Sequence, residues 1–109
     1  MSTTNEIKER IIKNSIKTKI YELKELLNKA EIYPDIKGYH LILRAIELIE
    51  RDRKILMLDV YNQIAKENNI SIVNTERLIR YVIIKLCDRI YHKELTVKQF
   101  LFGFVYGVI

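Results

Sequence analysis

Read for polarity alone, the chain keeps a helical period along most of its length. Ile7, Ile11, Ile12, Ile16, Ile20, Leu23, Leu26 and Leu27 recur at spacings of three and four, which predicts a helix from about Glu6 with a fray or bend near Asn14 and Ser15. A second stripe, Ile36, Tyr39, Ile42, Leu43, Ile46 and Ile49, follows Pro34. The residue before a proline avoids helical geometry, so a break is expected near Tyr33 and a second helix from about Asp35 to Arg51. A third helix, from about Leu56 to Glu67, should bury Leu58, Tyr61, Ile64 and Ala65 and stop at "ENNIS", where Asn and Ser favour turns and caps. A fourth begins at about Val73. The last starts at Thr96, whose hydroxyl can cap the amides of "VKQF".

Composition adds little to this picture but narrows it. One proline, three glycines and scarce alternating stretches make the fold class all-α, a compact bundle of about five to six helices. With 109 residues and 49% hydrophobic content, one domain over 1–109 is expected, residues 1–30 forming a helical extension and 31–109 the main body. Charged residues of both signs, 30% of the chain, accompany enough apolar content to offset the entropy of ordering. The longest apolar run, "FLFGFVYGVI", is half the roughly 20 residues that span a bilayer, so no membrane partner is expected. It needs cover for Phe100, Phe104 and Tyr106, either on its own domain or from a second subunit. The opening "MSTTNEIKER" is polar and a lone Cys87 cannot form an internal disulfide, which together suggest a reducing, cytoplasmic setting.

The third and fourth helices, joined by a few residues, outline a helix-turn-helix over about 56–91. At about 100° per residue, Leu78, Ile79, Val82, Ile83, Leu86 and Ile90 share one side of the fourth helix, while Arg77, Arg80, Tyr81 and Ile84 fall on the other. The formal charge of +5 favours an acidic partner. Its distribution says more: between residues 61 and 93, Lys66, Arg77, Arg80, Lys85, Arg89 and Lys93 outweigh Glu67, Glu76 and Asp88. Arginine on an exposed helix can donate two hydrogen bonds to guanine in the major groove of double-stranded DNA, and Glu76 could accept from a cytosine amine. The same arginines could serve as a solvated face or in an internal salt bridge. Tyr81 could touch backbone or sugar, and Ile84 a thymine methyl or a neighbouring subunit.

Two blocks carry a more specific signal. "IKGYHLILRAI", Ile36–Ile46, resembles the pattern IKGY-x-x-L-x-x-AI, and "IAKENNISIVNTERLIR", Ile64–Arg80, resembles IAK…ER-x-IR, both from the C-terminal DNA-binding domain of the stage-zero sporulation protein A family of endospore-forming bacteria. With the intervening helix and "YVIIKL", the likeness covers about half the chain. It implies a six-helix fold that binds a short duplex box, often in tandem copies, to activate or repress transcription. By position it implies that Glu76, Arg77 and Arg80 read bases, with Lys66, Asn74, Tyr81 and Lys85 as weaker candidates for the DNA backbone. The family's receiver domain would not fit in the 35 residues before the first block, so control would come from expression level, a partner, or competition with a full-length relative. The connection "RDRKILML" and the segment "DRIYHKELTVKQF" are shorter than in the family, which would alter dimer contacts. "SIVNT" replaces small polar residues leading into the recognition helix, which would alter the target; residues 1–30 resemble no family.

Other chemistry finds no support. His40 and His92 lie far apart without ligand-spaced companions, so no metal is expected, and no phosphate loop, nucleophile elbow or Cys–His pattern points to an enzyme or a cofactor. Two functions follow: a sequence-specific DNA-binding protein, in transcription or at a plasmid or phage site and able to act as a homodimer or in tandem on DNA, and an interaction module that pairs through either terminus with a full-length regulator or another protein.

Overall fold

A computed structural model describes residues 3–109; Met1 and Ser2, the start of the expected extension, lie outside the described residues. The described residues form five α-helices: α1 Thr4–Lys29, α2 Gly38–Arg51, α3 Met57–Asn68, α4 Ile72–Leu86 and α5 Val97–Tyr106. A π turn, Cys87–Tyr91, extends α4 and ends where His92 takes a left-handed conformation.

α1 is one uninterrupted helix of 26 residues, opened by a capping box in which Thr3 accepts from the Glu6 amide and Glu6 reaches back to the Thr3 amide. The expected bend at Asn14 and Ser15 does not occur. Instead the Ser15 hydroxyl donates to Glu50 Oε1 at 2.6 Å, tying the middle of α1 to the end of α2. Arg51 and Glu9 pair nearby at 3.0 Å, so the first turns of α1 lie beside the last turns of α2. Only Ile16, Leu23 and Leu27 of the long apolar stripe are buried; Ile7 and Ile11 face solvent.

α2 starts at Gly38 rather than near Asp35. Residues 33–37 form turns closed by Ile36 N–H to Tyr33 O and Tyr39 N–H to Ile36 O. At this start a close approach requires glycine: a Cβ on Gly38 would lie 2.3 Å from the Leu78 carbonyl oxygen and 2.7 Å from Val82 Cγ2. The chain therefore meets α4 backbone to backbone at the point where α2 begins. Tyr39, Leu41, Ile42, Leu43, Ala45, Ile46 and Ile49 then form the central face of the core.

α3 corrects one expectation about register. Leu58 is exposed, and the inward stripe is Val60, Ile64 and Ala65 with Met57 and Tyr61 half-buried. A helix beginning at Met57 turns Leu58 about 100° away from that stripe. The apolar C-terminus is covered by this chain's own core: Phe100 and Leu101 are fully buried and Val105 nearly so. α5 opens with a Thr96–Gln99 capping box and closes on Gly107 at φ +73°, with Val108 N–H bonded to Gly103 O and Gly107 N–H to Phe104 O. Tyr106 remains half exposed, its hydroxyl donating to Arg53 O beneath the Arg53 guanidinium.

Two polar ties fix the helices that flank α4. Arg44 on α2 forms a two-pronged bond to Glu67 on α3, at 2.9 and 2.8 Å, and a third to Glu47. Gln63 adds a donor to Glu67, and these bonds hold its carboxyl well below the ordinary range, at about 2. Arg89, in the π turn, donates to Ala30 O at 2.7 Å and anchors the end of α1.

Two outcomes follow. Replacing Gly38 by Ala should destabilise the protein by about 3 kcal/mol, the upper end of overpacking, because the colliding atoms include a backbone oxygen; urea unfolding measures it. Glu67 is charged more easily folded than unfolded, so its stabilisation is present above the ordinary value of 4.5 and is lost as pH falls from there toward 2. Urea midpoints taken across that window should fall less steeply for Glu67→Gln than for the wild type.

Candidate nucleic-acid interface

The geometry of α4 begins in the turn before it. Asn69 ends α3 in a left-handed conformation, φ 54°, which an asparagine tolerates better than most residues. Ser71 then starts α4, its hydroxyl accepting from the Asn74 amide at 3.0 Å while Thr75, fully buried, donates to Ser71 O. Residues 69–71 thus link two capped helices, and the short connection sets their crossing.

The back of α4 is sealed. Thr75, Ile79, Val82, Ile83 and Leu86 are buried, with Leu78 and Ile90 partly so, as the wheel of the sequence predicts. The front carries Val73, Arg77, Arg80, Tyr81 and Ile84, all exposed. Neither guanidinium is tied across the fold to another helix. Arg77 donates to Asn74 Oδ1, and Arg80 donates to Glu76 Oε1 at 3.2 Å, both contacts lying along the same helix. These local bonds line the two arginines along the outer surface while leaving them in water. Of the readings open from the sequence, the internal salt bridge is therefore present, but only as an i,i+4 surface pair within α4.

Glu76 is the least open of the three residues expected to read bases, its side chain 30% exposed against 53% for Arg80. It borders Tyr61 of α3, whose phenol is pushed up to about 12 by burial and by Glu76, with Arg80 opposing. Tyr61, Glu76, Arg80 and Ile84 form one side of an open groove whose other side includes Lys93 and Lys98 ahead of and within α5. Among the weaker candidates, Asn74 caps the arginine stripe, Lys85 sits 4.8 Å over the ring of Tyr81 at its edge, and Lys66 stands exposed on α3. The structure thus gathers six of these seven residues on α4 and leaves Lys66 on the supporting helix. Sequence reasoning passed over Val73, which is 77% exposed at the start of the stripe. The signal lay in its position, four residues before Arg77.

What this surface offers chemically is a protruding helix with planar, always-charged hydrogen-bond donors, a carboxylate acceptor and apolar side chains between them. Among the described residues no group of three or more His, Cys, Asp or Glu is placed to hold a metal ion, and no helix is long and apolar enough to cross a membrane. Cys87 is buried.

The fold and this surface define a helix-turn-helix domain. The chain belongs to the family described as sporulation initiation factor Spo0A C terminal, whose model matches residues 23–104. That family consists of DNA-binding effector domains rather than enzymes, and the match takes in the last quarter of α1, from Leu23, as well as both sequence blocks. No curated protein and no solved structure matches the chain.

Proposed function

We propose that this protein is a sequence-specific regulator of transcription that lays α4 in the major groove of double-stranded DNA. Glu76, Arg77 and Arg80 read base edges, while Lys66, Asn74, Tyr81 and Lys85 position the protein on the sugar-phosphate backbone. The observation that carries this reading is the outer stripe of α4: two arginines held in line by bonds within their own helix, opposite a fully packed back face. An arginine kept for folding would reach another element, as Arg44 and Arg89 do. The first turns of a recognition helix contact bases, and those are the turns that carry Glu76, Arg77 and Arg80.

Fluorescence anisotropy tests it, with a duplex carrying the sporulation-regulator box and a scrambled duplex at two salt concentrations. The expected result is tighter binding to the box, a preference that survives added salt, and a loss of about 1–3 kcal/mol in Arg77→Ala or Arg80→Ala with relaxed choice at one base pair. Equal, salt-sensitive binding to both duplexes by wild type and variants would overturn base reading.

A second reading, an interaction module that pairs with another copy or with a full-length regulator, is favoured by the outer side of α1. Ile7, Ile11 and Tyr21 are 46%, 62% and 66% exposed, precede the region matched by the family, and follow the alternating three- and four-residue spacing of a helix seam through Asn14 and Thr18. The C-terminal route has less to offer, since α5 spends its large side chains on its own core. If α1 pairs with a second copy, Ile7→Ser with Ile11→Ser should halve the mass seen by sedimentation at unchanged helicity; a monomeric wild type would remove the self-pairing form of this reading.

A further inference from the structure

Charge is only half of the outer stripe of α4. Val73, Arg77, Arg80 and Ile84 are spaced by four, three and four residues and so fall within one narrow arc of the helix. Val73 is the most exposed large apolar residue on α4, at 77%. A β-branched residue is a poor choice for an open helix position, and at this exposure the core has no use for it. It lies in the first turn, between the Ser71 cap and the Asn74 amide that the cap binds, so its backbone is held as firmly as that of Arg77.

We infer that Val73 is a specificity residue that meets the C5-methyl group of a thymine beside the guanine bonded by Arg77. This rests on the base-reading function proposed above. The thymine methyl is the apolar group that a base pair presents in the major groove, so it is the partner that an exposed valine on a reading helix can recognise. Helical rise places Val73 about 6 Å from Arg77 along the axis, against about 3.4 Å between successive base pairs. The thymine therefore lies one or two steps from the guanine of Arg77, on the side away from the contact of Arg80. Ile84, roughly 16 Å further along the helix than Val73, is beyond the N-terminal turns that reach base edges.

The test begins with selection of a preferred duplex from a random-sequence pool by the wild-type protein. Each thymine of that duplex is then replaced singly by deoxyuridine, which removes only the methyl group, and binding is measured for wild type, Val73→Ser and Val73→Ile. One deoxyuridine should weaken wild type and Val73→Ile by about fourfold, the worth of one buried methyl, and leave Val73→Ser unaffected. Circular dichroism should find all three equally helical. Undiminished sensitivity in Val73→Ser, or no sensitive thymine near the guanine lost in Arg77→Ala, would overturn the inference while base reading stood. A pool that yields no common sequence would overturn base reading itself, and this inference with it.

Discussion

Everything on the outer surface of α4 depends on one close approach, that of Gly38 to the Leu78 carbonyl. Helices normally pack through side chains, with axes about 8–10 Å apart. Here the start of α2 comes so near that a single methyl group would strike a backbone oxygen at 2.3 Å and Val82 at 2.7 Å. Leu78 follows Arg77 directly and precedes Arg80 by two residues. The contact that orients α4 thus lies on the back of the same helical turns that present the arginines, and little flexible structure intervenes between the anchor and the outer stripe.

The remaining ties distribute around that anchor. Arg44 and Glu67 join α2 to α3, and α3 holds the start of α4 through the turn at 69–71. Arg89 joins the far end of the α4 segment to the end of α1. A two-pronged guanidinium–carboxylate bond restricts angle as well as distance, which a point charge on a lysine would not do. Arg44 uses its guanidinium in that way, whereas Arg89 reaches the carbonyls of Ala30 and Glu31 from the one nitrogen Nη1. The arginines of α4 make no such bridge. The contrast separates residues that hold the fold from residues that the fold holds out.

Much of this was legible in the sequence. Three- and four-residue spacings located the helices, Ser71 and Thr96 announced their caps, and the wheel of α4 separated Ile79, Val82, Ile83 and Leu86 from Arg77, Arg80 and Tyr81. The misses have physical causes. Hydrophobicity alone puts Leu58 inside, whereas the phase of α3 turns Val60, Ile64 and Ala65 to the core and Leu58 to solvent. Pro34 permits a helix from about Asp35, yet α2 begins at Gly38, and the steric demand for glycine there comes from Leu78, forty residues downstream. Ser15 looks like a weak point in the sequence, yet its hydroxyl finds Glu50 across the interface. The misses at Gly38 and Ser15 concern partners distant in sequence, the kind of information that local periodicity does not contain.

The same distinction bears on how α4 divides its work. The i,i+4 pair of Glu76 and Arg80 and the contact of Arg77 with Asn74 are worth only a few tenths of a kcal/mol each at an exposed surface. They are too weak to matter for folding, and too weak to resist exchange for a base edge or a phosphate. That weakness is compatible with the function proposed above, because a side chain aligned by a local bond loses less rotamer freedom on binding than one that starts unordered, while surrendering little to leave its partner. Glu76 sits half-sheltered against Tyr61 and pairs with Arg80 along the helix. The stability of the domain and the readiness of its outer helix are therefore supplied by different residues, and changes to one set need not disturb the other.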